Sequence, residues 1–168
     1  KNKVQSNSIS VSSIIKDVKK NGDKAILKYE KKFNRNKIII PSKKQISKSI
    51  SSLDNKVKKA IDLAYDRIMK FHSLQKPKDI TFKDKFDNKV DYKFLPIDSV
   101  GIYVPGSSAS SPSSVLMAAI PGIVAKVKRL VMVNPAFKGN QNPAVLYAAN
   151  KCKIKEIYSI GGPSAVAA

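Results

Sequence analysis

Residues 100–121 read VGIYVPGSSASSPSSVLMAAIP, and this stretch constrains the fold more than any other part of the chain. Residues 100–104 are an apolar run rich in β-forming side chains and end at a Pro-Gly pair, which predicts a buried strand followed by a turn. Residues 107–114 are almost all serine and alanine, so their side chains are too small to build a core. An apolar run with helical spacing follows two serines, which predicts a helix start. The stretch therefore predicts a strand, a small-residue loop and a helix, in that order.

The predicted helix start suits an anionic ligand. Amides in the first turn of a helix lack intrahelical partners, and the helix dipole places partial positive charge at the same end. In parallel α/β sheets, ligands bind in the crevice outside the carboxyl ends of the strands. A serine-rich connection without any ligand fits the same residues, and the sequence contains neither the GxGxxG nor the GxxxxGK pattern. Both interpretations therefore stay open at this point.

Strand and helix patterns alternate to the end of the chain. The predicted strands cover residues 100–104, 130–133 and 156–160, and the predicted helices cover residues 113–125 and 143–151, with another helix beginning after Gly162. A βαβαβ order implies parallel strands joined by right-handed crossovers. We therefore expect an α/β fold that contains a Rossmann-like parallel βαβαβ unit.

The first half of the chain has helical spacing instead. Apolar residues recur every three or four positions in four segments, which are residues 8–20, 23–33, 42–52 and 54–74. Residues 80–94 alternate polar and apolar side chains around a turn at residues 87–89, which predicts a β-hairpin. The predicted organisation is an N-terminal helical segment (1–78), a hairpin connector (79–98) and an incomplete α/β domain (99–168).

The basic composition raises the question of a polyanion partner. The formal net charge is +20, but only three of the 32 cationic residues are arginines, and the lysines are spread along the whole chain. Proteins that read bases or phosphates favour arginine because of its forked geometry. We therefore expect no specific nucleic-acid partner. A lysine-rich polyanion-binding module remains an alternative.

The chain offers few residues for metal or disulfide chemistry. Cys152 is its single cysteine and His72 its single histidine, so no internal disulfide is possible. We expect Cys152 to be a small buried side chain and His72 to form a hydrogen bond at a helix end, since neither has partners at metal-ligand spacing. The sequence has no apolar run long enough for a membrane span, and its first residues lack the apolar region of a secretory signal. We expect no membrane partner and a cytoplasmic location.

Seven segments, in collinear order, carry a resemblance to a known family. They are residues 21–25, 67–75, 100–106, 112–117, 119–121, 142–149 and 156–165. These segments resemble the histidinol dehydrogenase family. Since the chain starts at Lys1 and stops at Ala168 inside a predicted helix, we expect a truncated, N-terminal portion of a longer family member.

The resemblance implies a zinc-dependent enzyme of histidine biosynthesis that oxidises L-histidinol to L-histidine, by way of histidinal, with two NAD⁺. It also implies a homodimer, and it makes residues 99–168 the first half of an NAD-binding domain. Tyr103 matches a family tyrosine that contacts NAD, and Ser164 stands where the family usually has a glutamine that contacts the cofactor. The zinc ligands and a Glu-His acid/base pair are expected beyond Ala168. No catalytic residue or metal ligand is therefore assigned, and this portion alone is expected to be inactive.

Four positions depart from the family pattern. Ser107 replaces a loop glycine, and Lys126 and Lys153 replace glycines that follow helices. A lysine in left-handed backbone costs on the order of 1 kcal/mol. Ser164 is shorter than glutamine, so we expect a water molecule to complete its contact. Two alternatives remain: a non-catalytic relative that keeps the fold, and a core-packing role for Tyr103.

Overall fold

The computed structural model describes residues 10–106, 111–136 and 139–168. Within these ranges the chain forms seven α-helices and five β-strands. They are α1 (Val11–Asn21), α2 (Asp23–Tyr29), α3 (Lys43–Ser51), α4 (Asn55–Leu74), β1 (Ile80–Lys83), β2 (Lys89–Tyr92), β3 (Ser99–Tyr103), α5 (Pro112–Val124), β4 (Arg129–Val133), α6 (Pro143–Lys151), β5 (Glu156–Tyr158) and α7 (Gly162–Ala167). No helix in these ranges is long and apolar enough to cross a lipid bilayer.

Short polar side chains begin the N-terminal helices. Ser10 accepts from the backbone N–H of Ser13 at the start of α1, and Ser42 and Gln45 form a reciprocal capping box at the start of α3. Gly22 ends α1 with a φ of +52°, a conformation that favours glycine. These local signals explain why the predicted helix boundaries agree with the structure to within a few residues.

The predicted helix over residues 23–33 is interrupted. α2 ends at Tyr29, and Glu30–Asn34 form a π-helical turn that ends at Arg35, whose φ is +51°. A π turn is wider than an α turn, and here it places the Glu30 side chain in the interior, where 1% of the residue is exposed. The helical prediction was wrong in this detail, because spacing of apolar residues does not reveal a buried carboxylate.

β3, β4 and β5 form a parallel sheet in the order β3-β4-β5. Ser99 lies opposite Arg129 and Met132 lies opposite Ile157. This arrangement confirms the predicted α/β fold with its parallel βαβαβ unit. β5 stops two residues earlier than predicted, because the N–H of Ser159 donates to the carbonyl of Ile39 (N···O 2.6 Å) instead of continuing a strand ladder.

One face of this sheet is covered by α4, α5 and α6. Side chains from alternate strand positions meet apolar side chains of the three helices in a single buried cluster. Its central members include Ile102, Val104, Leu116, Ile120 and Met132, all at most 3% exposed. We call this face the closed face.

The opposite face is covered only in part. Ile14, Val18 and Ile26 of α1 and α2 form a smaller cluster with Ile160 and with Ala165 of α7. Beside this cluster lies a groove of about 1020 Å³. We call this face the open face. Because N-terminal helices lie on both faces, residues from the predicted 1–78 segment share their cores with the sheet; the three-part division itself stays a prediction.

The predicted hairpin is present and projects from the rest of the fold. β1 and β2 pair antiparallel, with Phe82 opposite Val90, and the turn lies at residues 84–88. Every residue of both strands is exposed, including Phe82 at 60%. A two-stranded hairpin whose apolar side chains are exposed on both strands is at best marginally stable by itself.

Candidate functional site

Three turns meet where the parallel strands end. Residues 104–106 follow β3, residues 134–135 follow β4 and residues 159–162 follow β5. Pro135 lies between two glycines, because a Cβ on Gly161 would come within 2.6 Å of its Cβ and Cγ, and a Cβ on Gly106 would also overlap it. We call this set of three turns the rim. Its turns pack closely only because both positions lack a side chain.

Asn134 joins the first two turns of the rim. Its buried Nδ2 donates to the carbonyl of Val104 (3.1 Å) and more weakly to that of Pro105 (3.4 Å). Its own carbonyl accepts from Nε2 of Gln141 at 2.8 Å. Asn134 was not among the predicted cofactor residues. An amide residue between an apolar strand and a proline was the available signal.

Tyr103 is the last residue of β3 and lies on the open face. The residue is 44% exposed, so its side chain does not pack in the core formed by the described residues. Its hydroxyl oxygen accepts from the backbone N–H of Gly162 at 3.1 Å. Gly162 has a φ of +63°, so this corner of the rim uses a backbone conformation that favours glycine. Tyr103 therefore connects the end of β3 to the turn after β5.

Ser164 lies in the same corner, with its side chain turned inward. The residue is 3% exposed, and its hydroxyl donates to the carbonyl of Gly161 at 2.9 Å. The hydroxyl proton is thus used within the first turn of α7. Tyr103 and Ser164 are brought together through the Gly161–Gly162 turn, while a contact between Ser164 and a cofactor stays a prediction.

Two buried polar residues of the N-terminal segment hold the turn after β5 from behind. Glu30 accepts from the N–H of Gly161 through Oε1 at 2.8 Å. Nδ2 of Asn36 donates to the carbonyl of Ser159 at 2.7 Å. Burial raises the pKa of the Glu30 carboxyl, and its hydrogen bonds from Gly161 and Asn34 act in the opposite direction. Neither residue was predicted, because each one's partner lies more than a hundred positions away.

The N-terminus of α5 borders the rim on the β3 side. Pro112 occupies the first turn of the helix, and the N-cap Ser111 makes no side-chain capping bond within the described residues. Its hydroxyl lies 2.7 Å from that of Ser113 instead. The predicted loop over residues 107–110, including Ser107, lies outside the described residues. An uncapped helix start beside glycine turns suits an anionic group.

The groove on the open face runs from Tyr103 along the sheet. Its floor is formed by side chains and backbone of β3 and β4, with an apolar wall from the N-terminal segment and α7. Arg129 lies at the other end of the strands and pairs with Glu156, with Nη2 2.6 Å from Oε2. The groove is therefore mainly apolar, with polar side chains at both ends of the strands, Tyr103 at one end and Arg129 at the other.

The single histidine and the single cysteine lie away from the rim. Nδ1 of His72 lies 2.6 Å from Oε1 of Gln75 at the end of α4, as expected for a structural hydrogen bond. Cys152 is buried, which confirms the prediction, and burial raises the pKa of its thiol to about 11. Among the residues that the structure describes, no three His, Cys, Asp or Glu side chains are grouped so that they could hold a metal ion.

Both lysines that replace family glycines have left-handed backbone. Lys126 follows α5 with a φ of +64°, and Lys153 follows α6 with a φ of +57°. The turns after these helices therefore keep the left-handed conformation that glycine would adopt, and the energetic cost of that conformation for lysine stays a prediction.

The chain is similar to known proteins over its whole length. The family model described as "Histidinol dehydrogenase" matches residues 1–168. The histidinol dehydrogenase of Pelagibacter ubique is 77% identical over 168 residues, which is 100% of this chain and 39% of that protein. The histidinol dehydrogenase of Agrobacterium fabrum is 44% identical over 162 residues, covering 94% of this chain and 38% of that protein.

A solved structure gives the same result. The crystal structure of histidinol dehydrogenase from Elizabethkingia anophelis superimposes with a TM-score of 0.88 at 35% identity, over 94% of this chain and 37% of that one. The chain thus spans about two fifths of the length of the curated relatives it matches. With a family model that covers all 168 residues and a fold that agrees, the chain belongs to the histidinol dehydrogenase family.

Proposed function

We propose that this chain is the N-terminal, cofactor-holding part of a cytoplasmic histidinol dehydrogenase of histidine biosynthesis. The complete enzyme would oxidise L-histidinol to L-histidine by way of histidinal, using NAD⁺ and zinc. Family membership supports the reaction class. The observation that carries the location of the cofactor is the exposed Tyr103 at the rim, bonded to the N–H of Gly162.

The rim has the chemistry that a dinucleotide requires. The uncapped N-terminus of α5 suits a phosphate group, and Gly162, where an added Cβ would meet nothing within 4 Å, leaves open space beside the backbone for a ligand. The exposed ring of Tyr103 offers an aromatic face and a hydroxyl at the same place. When bound, NAD⁺ accepts the hydride removed from the substrate. In this proposal the rim holds and orients the cofactor.

Zinc is a different case. In the described ranges no group of three suitable side chains could hold a metal ion, so these residues do not fit a zinc site. Within the proposal, the zinc ligands and the acid/base pair are provided by a part of the complete enzyme other than these residues.

The cofactor site is tested by removing a single hydroxyl. In the full-length enzyme we expect Tyr103→Phe to weaken NAD⁺ binding about fivefold, because the hydroxyl that receives the Gly162 N–H is lost. Tyr147→Phe is a matched control, since its hydroxyl bonds to Asp62 on the other side of the sheet. Isothermal titration with NAD⁺ measures both variants. Equal NAD⁺ affinities for the two variants would place the cofactor elsewhere.

The reaction is tested by following NADH formation. Full-length enzyme with L-histidinol and NAD⁺ should produce NADH, and removal of metal with a chelator should abolish the production until zinc is restored. Enzyme that binds NAD⁺ but produces no NADH in the presence of zinc would be a non-catalytic relative. Histidine formation in the same samples distinguishes two oxidations from one.

We propose that a second copy of the chain packs against the hairpin in a homodimer. Both strands are exposed and carry large apolar side chains, including Phe82, Val90 and Tyr92. Exposed apolar surface of this kind marks an interface. In sedimentation of the full-length enzyme we expect a dimer, and Phe82→Ser combined with Val90→Ser should shift it toward monomer. Lys85→Ser in the turn is the control and should leave the dimer intact.

A further inference from the structure

A carboxylate far from the rim in sequence is built into its central turn. Glu30 is 1% exposed and bonds through Oε1 to the N–H of Gly161, 131 positions along the chain. Its second oxygen, Oε2, accepts from Nδ2 of Asn34 at 2.9 Å. A buried carboxyl group is costly, and two hydrogen bonds offset part of that cost. The π turn at Glu30–Asn34 is the local distortion that points this side chain inward.

The peptide held by Glu30 precedes the peptide that bonds to Tyr103. The N–H of Gly161 donates to Glu30, and the N–H of Gly162 donates to the hydroxyl of Tyr103. The carbonyl of Gly161, which lies between these two N–H groups along the backbone, accepts a hydrogen bond from the hydroxyl of Ser164. Glu30 therefore fixes the orientation of the one turn that connects both sequence-predicted cofactor residues.

We propose that Glu30 is a positioning residue for cofactor binding: through the N–H of Gly161 it holds the glycine turn in the orientation that presents the Gly162 N–H to Tyr103. This inference rests on the proposed function, because it takes the rim as the NAD⁺ site. Glu30 itself is 1% exposed, so it acts through the turn and not by direct contact with a ligand. Its effect is to keep the turn preorganised, so that binding does not have to order it.

The test uses the full-length enzyme and isothermal titration with NAD⁺. Glu30→Gln keeps an acceptor for the Gly161 N–H, whereas Glu30→Leu keeps similar bulk and removes the acceptor. We expect Glu30→Gln to bind NAD⁺ within about twofold of wild type and Glu30→Leu to bind about tenfold more weakly, since a buried donor loses its partner. The KM for NAD⁺ should rise with little change in kcat.

Val18→Ala is the control for a purely structural effect. Val18 is buried in the same apolar cluster as Ile160, and its side chain cannot form a hydrogen bond to the Gly161–Gly162 turn. We expect this variant to lose stability and to retain wild-type NAD⁺ affinity in its folded fraction. Equal weakening by Val18→Ala and Glu30→Leu, or no rescue by Glu30→Gln, would overturn the positioning role.

A second variant and the behaviour of wild type distinguish failure of the Glu30 proposal from failure of the proposed function. If Glu30→Leu does not fold, Glu30→Asp decides, because it keeps the carboxyl group but is one methylene too short for Gly161; we expect NAD⁺ affinity to fall about fivefold, and an unchanged affinity overturns the proposal. Wild-type enzyme that fails to bind NAD⁺ overturns the proposed function itself. Wild-type enzyme that binds NAD⁺ as tightly as every Glu30 variant overturns the role of Glu30 alone.

Discussion

The two faces of the parallel sheet are packed by different means. On the closed face, apolar side chains from α4, α5 and α6 interlock with alternate strand residues, and the central members are at most 3% exposed. On the open face, the apolar cluster is smaller and is joined to the sheet by buried hydrogen bonds from Glu30 and Asn36. The closed face stabilises the sheet, and the open face shapes its rim.

This difference separates stability from site geometry. Apolar contacts are non-directional and tolerate small shifts, whereas a carboxylate or an amide holds a particular peptide in one orientation. Glu30, Asn36 and Asn134 each form a hydrogen bond to a backbone group of the rim turns. We therefore expect substitutions on the closed face to change mainly the free energy of unfolding, and substitutions that remove a rim hydrogen bond to change mainly cofactor binding.

The largest effect on stability is expected on the closed face. Leu116→Ala should lower the free energy of unfolding of the chain by about 3 kcal/mol, because the 1%-exposed side chain leaves a cavity. Val131→Ala, in the partly exposed floor of the groove, should cost about 1 kcal/mol. Urea denaturation followed by circular dichroism measures both. Met117→Ala, on the exposed side of α5, is the control and should lie within about 0.5 kcal/mol of wild type.

A smaller effect is expected from filling the rim. Gly161→Ala should cost about 2 kcal/mol, because its Cβ would lie 2.6 Å from Pro135 and the two turns would have to separate. Gly101→Ala is its counterpart on β3, where a Cβ meets nothing within 4 Å. Thermal or urea unfolding of both variants tests the contrast. A Gly161→Ala variant as stable as Gly101→Ala would contradict the tight packing of the rim.

Replacing two lysines that have left-handed backbone, both outside the two faces of the sheet, should stabilise the chain. Lys153→Gly and Lys126→Gly should each raise the free energy of unfolding by about 1 kcal/mol, because glycine adopts positive φ without a steric penalty. The double variant should show roughly the sum, since the two turns follow different helices. Lys155→Gly is the matched control and should not stabilise the chain. No gain from either left-handed position would show that these turns relax at no cost.

The smallest effect concerns pH and the ion pair between α4 and α6. Hydrogen bonds from Lys151 and Tyr147 lower the pKa of Asp62 below its ordinary 3.8, with burial acting in the opposite direction. The stability from this carboxylate is therefore complete above the unfolded-state pKa and is lost as pH falls through the folded-state value. Asp62→Asn should be less stable than wild type by about 0.5 kcal/mol at neutral pH, with the difference shrinking in acid. Urea unfolding along a pH series measures this difference, and a constant difference would contradict the account.

Most secondary structure was predictable because its causes are local. The apolar spacing in α4, the cap residues Ser10 and Ser42, and the βαβαβ order all appear in short stretches of sequence. Tyr103 was predicted from family resemblance, and its exposure agrees with a position at the rim. Its role in cofactor binding stays a prediction.

The buried polar contacts were not predictable in the same way. Glu30 lies in a segment with ordinary helical spacing, and nothing nearby reveals that its partner is Gly161. The pairing depends on how the N-terminal helices pack on the open face, which is a property of the folded chain. Asn36 and Ser159 are a second example, with 123 positions between them. Local propensity predicts elements, while long-range hydrogen bonds determine how the rim turns are held.

A crystal structure of the full-length enzyme with NAD⁺ tests the central claim most directly. We predict that the cofactor lies along the rim, with atoms within about 4 Å of the Tyr103 ring and of the first turn of α5. The Glu30 to Gly161 hydrogen bond should be intact in the same structure. NAD⁺ bound elsewhere, with Tyr103 and the Gly161–Gly162 turn free of contact, would contradict the account.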